Sequence, residues 1–251
     1  MRQSSLDVSL GRMQVWISND TRHDARPQSL AYDDVRLRAP LQADPARLRP
    51  IPAGSERGFP LVLPRRVDCD APSVSDDRAE GSGRVEVRTP RFTRRLRVSD
   101  ETDVVGRFVN LRCAEQRLAE VAVLRWSDAV PADRPGPGSP GVLSLLVRPT
   151  GTPGHTLRID TVAGSHLLGS ADEEPVWKPG LMVRSDGPPA RVRLPLRPAR
   201  CDGHAFAEGG GATAFRVRFR LDGEPGELVL RMGEAGRRAA LAFARTSCGL
   251  D

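Results

Sequence analysis

Two pairs of cysteines with nearly equal spacing constrain this chain more than any other feature. Cys69 and Cys113 lie 44 positions apart, and Cys201 and Cys248 lie 47 positions apart. Similar patterns surround each pair: alternating runs precede the first cysteine, two more follow it, and a short helical pattern precedes the second. We therefore interpret the chain as one unit that occurs twice, and each pair as a disulfide within one unit.

Both units are predicted to be rich in β-strands. Apolar and polar residues alternate in many short runs, such as residues 84–88 and 215–219, and this period of two is typical of strands. The 24 glycines and 22 prolines among 251 residues supply the turns between them. We predict an all-β fold of two tandem immunoglobulin-like antiparallel β-sandwich domains, residues 1–116 and 117–251. A jelly roll or an open barrel is the alternative.

Two elements recur at corresponding places in the predicted units. A short helical segment is expected before the last cysteine of each unit, over residues 101–112 and 234–246. Each unit is expected to open with a strand, over residues 6–10 and 120–126. The joint between the units, around residues 115–117, contains almost no linker.

The positive charge of the chain is not a specific sign of nucleic-acid binding. The formal net charge is +6, and Lys178 is the single lysine among 38 basic residues. A GC-rich genome would favour arginine in this way, and the arginines are interleaved with acids instead of clustered. Aromatic residues make up only 4% of the chain, so stacking platforms for single strands are scarce. We therefore expect no nucleic-acid partner.

The cysteines also bear on the compartment. Stable disulfides require an oxidising environment, so the paired cysteines favour a location in the cell envelope or outside the cell. The first ten residues contain no apolar segment typical of a secretory leader, so either the protein is cytosolic or a leader has been removed. The paired cysteines favour the removed leader. No apolar run is long enough for a membrane span.

The densest group of possible metal ligands consists of Cys201, Asp202, His204 and Glu208. Cysteine and histidine with carboxylates could bind a soft metal such as copper or zinc. The alternative is structural, with Cys201 in a disulfide and His204 on a surface loop. The first unit repeats the cysteine–aspartate pair at Cys69 but lacks the histidine, which favours the structural interpretation. We predict no bound cofactor.

No pattern in the sequence indicates catalysis. None of the four histidines lies in a recognisable motif, and the chain contains no GxSxG elbow. Neighbouring carboxylates such as Asp33 and Asp34 would point to opposite faces of a strand, so they could not act together as acid and base. We expect a protein that is not an enzyme; a hydrolase with a composite site between the units is the remaining catalytic alternative.

Three stretches resemble a family of uncharacterised actinobacterial envelope proteins: Arg2-Gln3-Ser4, Ser18-Asn19-Asp20, and residues 194–205 with their Arg-Cys-Asp-x-His-Ala motif. The resemblance extends over most of the chain. It implies an exported protein and no particular activity. We therefore predict a non-enzymatic extracytoplasmic binding or scaffolding protein, whose partner is an unknown envelope protein or small ligand. Binding of copper or zinc through the region of Cys201, Asp202 and His204 is the alternative.

Overall fold

The fold consists mainly of antiparallel strands arranged in two compact units, Met1–Cys113 and Ala114–Asp251. The structure is a computed structural model that describes residues 1–4, 7–8, 10–69, 83–172, 174–207 and 211–250. The division between the units falls close to residue 116, where the sequence pattern places a boundary, and it lies within a helix.

The described strands of the first unit are β1 (Arg12–Asn19), β2 (Ser29–Asp33), β3 (Leu41–Gln42), β4 (Ser55–Val62), β5 (Arg84–Arg88) and β6 (Thr93–Arg97). β1 pairs with β4, and a second sheet has the order β3-β2-β5-β6, with every pair antiparallel. The alternation of β1 places Met13 and Val15 in the core, while Trp16 on the opposite face is 38% exposed.

The described strands of the second unit are β7 (Ala122–Trp126), β8 (Gly141–Pro149), β9 (Thr156–Ala163), β10 (Leu168–Ser170), β11 (Val176–Trp177), β12 (Leu181–Arg184), β13 (Ala190–Pro198), β14 (Ala214–Leu221) and β15 (Glu224–Arg231). One sheet has the order β10-β13-β8-β7, and the other has the order β11-β9-β14-β15, with β12 also paired to β9. Leu145 of the first sheet and Ile159 and Phe215 of the second belong to one buried cluster. The two sheets therefore form a β-sandwich around a shared core.

The strand orders of the two units correspond. The pairing of β1 with β4 matches that of β8 with β13, and the order β2-β5-β6 matches β9-β14-β15. The immunoglobulin-like assignment of the sandwiches stays a prediction.

The described helices are α1 (Val104–Val121), α2 (Gly203–Ala207) and α3 (Glu234–Cys248). The prediction of a short helical segment before the last cysteine is confirmed for α3, which Gly249 ends in the left-handed conformation, with φ of 67°. In the first unit a helix also precedes the cysteine, but its predicted end at residue 112 is wrong, because α1 continues through Cys113 to Val121. Residues 114–118 are good helix formers with no glycine or proline to stop the helix. For the same reason β7 begins at Ala122 and not at residue 120.

The predicted strand over residues 6–10 is also wrong where it can be described. Asp7 and Val8 are helical, and Leu10 lies in a turn; residues 6 and 9 lie outside the described residues. The Asp7 carboxylate accepts hydrogen bonds from the main chain and hydroxyl of Ser4, and the Ser4 hydroxyl accepts one from the Asp7 main chain. Such local bonds favour a turn over an extended strand.

Both predicted disulfides are present, Cys69–Cys113 and Cys201–Cys248. Each joins the chain that follows a strand, β4 or β13, to a helix, α1 or α3. A crosslink over a loop of this length restricts the unfolded chain and stabilises the folded unit by about 4 kcal/mol in the chain-entropy treatment.

Candidate functional site

The predicted metal-ligand group is held in place by structural interactions. The sulfur of Cys201 is bonded to Cys248, so it is not available as a thiolate while the disulfide is intact. The Asp202 carboxylate accepts two hydrogen bonds from the Arg200 guanidinium, at 2.9 and 3.0 Å, and one from the main-chain nitrogen of Ala205. The bonds from Arg200 lower the pKa of Asp202 from its ordinary value.

The other two predicted ligands, His204 and Glu208, do not complete a described metal site. His204 is exposed on α2, and Glu208 lies outside the described residues. Among the residues that the structure describes, no three histidine, cysteine, aspartate or glutamate side chains are grouped closely enough to hold a metal ion.

The structure brings together one histidine–carboxylate pair that the sequence pattern does not indicate. His155 Nδ1 lies 2.7 Å from Asp222 Oδ2, and the other Asp222 oxygen accepts a bond from the main chain of Thr156. This pair could orient an imidazole for proton transfer. Within the described chain, no hydroxyl or thiol hydrogen-bonds to the second ring nitrogen; the nearby Ser185 hydroxyl bonds to the main-chain oxygen of His155. Among the described residues, this pair therefore has no hydroxyl or thiol nucleophile hydrogen-bonded to it.

A buried ionic network in the first unit is structural. The Tyr32 hydroxyl and the Arg36 guanidinium both donate to the Asp34 carboxylate, and Arg36 also donates to Asp103 next to the start of α1. Burial alone would raise the pKa of Asp34, but the bonds from Arg36 and Tyr32 outweigh it and lower that pKa. Burial and the Asp34 charge raise the pKa of Tyr32. The Asp34 side chain is 0% exposed, so a ligand cannot reach it.

The outer face of the sheet β10-β13-β8-β7 carries a row of exposed arginines. We call this surface the arginine face, and its members are Arg125, Arg148, Arg191, Arg193 and Arg197. Strand alternation explains the arrangement: Leu194 and Leu196 of β13 point into the core, so the arginines between and beside them point outward. The four strands of this sheet all lie in described regions and contain no aspartate or glutamate.

The strand register sets the positions of these side chains. Leu146 in β8 lies opposite Arg125 in β7 on one side and Arg191 in β13 on the other. Arg148 lies opposite the exposed Val123 of β7. Guanidinium groups therefore surround a small apolar centre formed by Leu146 and Val123.

This part of the face is concave. A surface depression of about 800 Å³ is lined by Val123, Arg125, Leu146, Val147, Arg148, Pro149, Thr150, Pro189, Ala190 and Arg191. Three of these residues carry positive charge and none carries negative charge. The depression has the dimensions of a ligand site, with apolar walls and a few charged groups that could fix an anion.

The arginine face differs from the outer face of the opposite sheet in how its charges are balanced. Within the described chain, none of its five arginines forms an ion pair or a side-chain hydrogen bond. On the opposite sheet, Asp160 pairs with Arg158 and Arg220, at 3.0 and 3.3 Å. Glu227 pairs with Arg216 and Arg218, at 3.1 and 2.9 Å. On one face of the sandwich, two carboxylates therefore offset part of the charge of four arginines. On the other, five arginines have no carboxylate partner among the described residues.

The sequence analysis does not predict this site, because the abundance of arginine is explained there by genome composition. The signal that was available is local: Arg191, Arg193 and Arg197 share one strand face without an acidic neighbour in the run.

No protein-family model matches the chain, and no curated protein matches it. Of the described helices, none has the length and apolar character needed to cross a membrane.

Proposed function

We propose that this is a non-enzymatic extracytoplasmic binding protein, and that the arginine face of its second unit binds an anionic ligand or partner. The observation that carries the proposal is the contrast between the two sheets of one sandwich. Arginines on one outer face are paired with Asp160 or Glu227, and those on the other have no partner among described residues.

Uncompensated charge of one sign favours binding of the opposite sign. Clustered guanidinium groups repel one another and create a positive potential, which an anion relieves. Arginine is suited to this role because its planar fork can donate two parallel hydrogen bonds to a carboxylate or a phosphate. The apolar centre at Leu146 and Val123 would add contact area around those bonds.

The location and architecture in the proposal have their own support. Two disulfides are compatible with an oxidising compartment outside the cytoplasm. The matching strand orders of the two units support two tandem immunoglobulin-like domains that arose by duplication. The resemblance of the motif around Cys201 to actinobacterial envelope proteins favours the same location.

The test compares two triple variants that remove equal charge from opposite faces. The face variant carries Arg125→Gln, Arg148→Gln and Arg191→Gln. The control variant carries Arg216→Gln, Arg218→Gln and Arg220→Gln. Titration calorimetry at low ionic strength, with poly-L-glutamate and inorganic polyphosphate as probes, measures binding to each protein.

We expect the wild-type protein and the control variant to bind at least one probe, and the face variant to lose about tenfold or more in affinity. Equal binding by the two variants would show that the site lies elsewhere. Absence of binding to both probes by the wild-type protein would overturn the proposal.

A further inference from the structure

The arginines of β13 repeat with the period of an extended polypeptide. Arg191, Arg193 and Arg197 all point outward from one strand, and Pro195 occupies the intervening position. Side chains two residues apart on one strand face are separated by about 6.7 Å. The row therefore offers three positive charges, spaced two and then four residues apart, along a line of about 20 Å.

From this row, and on the basis of the function proposed above, we infer that the occupant is an extended acidic segment of a partner protein. Its aspartate or glutamate residues stand at alternate positions and lie along β13. An extended chain places every second side chain on one face at the same spacing as the arginines. Three of four successive carboxylates can then each face one guanidinium, and the remaining one lies opposite Pro195.

The neighbouring strand provides a surface for the rest of such a segment. In β8, the residues opposite Arg191, Arg193 and Pro195 of β13 are Leu146, Ser144 and Val142, of which Ser144 is buried. These side chains are uncharged, and Leu146 and Val142 are partly exposed. Small or apolar groups of the partner could contact them while its acids contact β13. Such contacts would fix the orientation of the bound segment and add selectivity to the charge pairing.

Two other anionic occupants fit the surface less well. A single small anion in the depression would engage Arg125, Arg148 and Arg191 but would leave Arg193 and Arg197 of β13 without a partner. A lipid bilayer presents a flat surface, whereas the arginine face contains a depression of about 800 Å³.

Two fluorescent dodecapeptides with the same composition and charge test the inference. One alternates glutamate and serine, so all six of its acids share one face when it is extended. The other repeats Glu-Glu-Ser-Ser, so each face carries only three acids. Fluorescence anisotropy measures binding to the wild-type protein and to Arg193→Gln/Arg197→Gln, with Arg216→Gln/Arg218→Gln as the matched control.

We expect the alternating peptide to bind about two- to fivefold more tightly than the paired peptide, since it can pair with all three arginines of β13. The paired peptide has acids four residues apart on each face, so it can pair only with Arg193 and Arg197. The β13 variant should lose this preference, and the control variant should keep it. Equal affinity for the two peptides overturns the inference. So does binding of polyphosphate or of phosphatidylglycerol vesicles together with no binding of either peptide, although those results would leave an anion-binding face intact. Failure of every anionic probe to bind the wild-type protein would overturn the proposed function itself.

Discussion

The indole nitrogen of Trp126 donates a hydrogen bond to the main-chain oxygen of Leu230, 3.0 Å away, and so connects the two sheets of the second unit. Trp177 makes the reverse connection, from β11 to the main-chain oxygen of Pro195 in β13, at 2.6 Å. The two indoles contact Phe215, with ring centroids 4.9 and 6.3 Å from it. Each buried N–H group is therefore satisfied while its ring fills the core.

Trp126→Phe should lower the free energy of unfolding by about 2–3 kcal/mol. The substitution leaves the Leu230 oxygen without this donor and opens space beside Phe215. Urea unfolding followed by circular dichroism measures the change. The control is Trp16→Phe in the first unit, where the ring is 38% exposed and we expect a change below about 1 kcal/mol. Similar losses in both variants would show that the indole bridge contributes no special stability.

Much of the strand pattern is predictable because alternation is a local property. The runs that contain Arg84–Arg88 and residues 215–219 are strands because a period of two leaves one face apolar. The predictions failed where longer-range or side-chain effects decide the outcome. The helix α1 continues past Cys113, and the bonds between Ser4 and Asp7 replace a strand by a turn. Short edge strands such as β11 and β12 carry too few residues to show a period.

The disulfides lead to a direct chemical prediction. Protein folded under oxidising conditions and then denatured should show no alkylation by iodoacetamide in intact mass spectrometry. After reduction, all 4 cysteines should be modified. The same protein with Cys201→Ser and Cys248→Ser should lose about 4 kcal/mol of unfolding free energy, since the loop that this bridge closes is no longer restrained.

A thiol that reacts before reduction would contradict the pairing, and it would remove the main physical argument for an oxidising compartment. A double serine variant as stable as the wild-type protein would show that packing of α3, and not the crosslink, holds that helix in place.

The arginine face illustrates what cannot be derived from composition. Its character depends on two long-range facts: β7 and β13 both pair with β8, and Asp160 and Glu227 lie on the other sheet. Counting charges along the chain averages the two faces together. Such a count describes a mixed, modestly basic surface and does not reveal the positive face.

The buried pair of Asp34 and Arg36 provides a third test of stability. Arg36→Gln leaves the Asp34 carboxylate in a buried position without its counter-charge, which should cost about 3–5 kcal/mol. The control is Arg184→Gln, whose partner Asp186 lies at the surface and whose loss should cost less than about 1 kcal/mol. Thermal unfolding of both variants at neutral pH measures the difference. Equal stability of the two variants would contradict a structural role for the network around Tyr32.

Two buried carboxylates should also make the first unit sensitive to acid. Burial alone would raise the pKa of Asp7, but hydrogen bonds from Ser4, Arg12 and Gln14 outweigh it and hold the pKa well below its ordinary value. The pKa of Asp34 is also lowered, because hydrogen bonds from Arg36 and Tyr32 outweigh the effect of burial. A carboxyl group whose pKa is lower in the folded state contributes stability above its unfolded pKa of about 3.9, and this contribution is lost as the pH falls below that value.

We therefore expect the melting temperature to be nearly constant between pH 7 and pH 5 and to fall steeply from about pH 4 downward. Asp7→Asn should lower the melting temperature at pH 7 and flatten this dependence, because the asparagine cannot titrate. Asp186→Asn is the matched control. Asp186 pairs with the exposed Arg184, and solvent screens that pair, so the melting temperature of this variant should fall below about pH 4 as steeply as that of the wild-type protein. If the melting temperature of Asp7→Asn fell at acid pH as steeply as that of the wild-type protein, Asp7 would have the same pKa in the folded and unfolded chain.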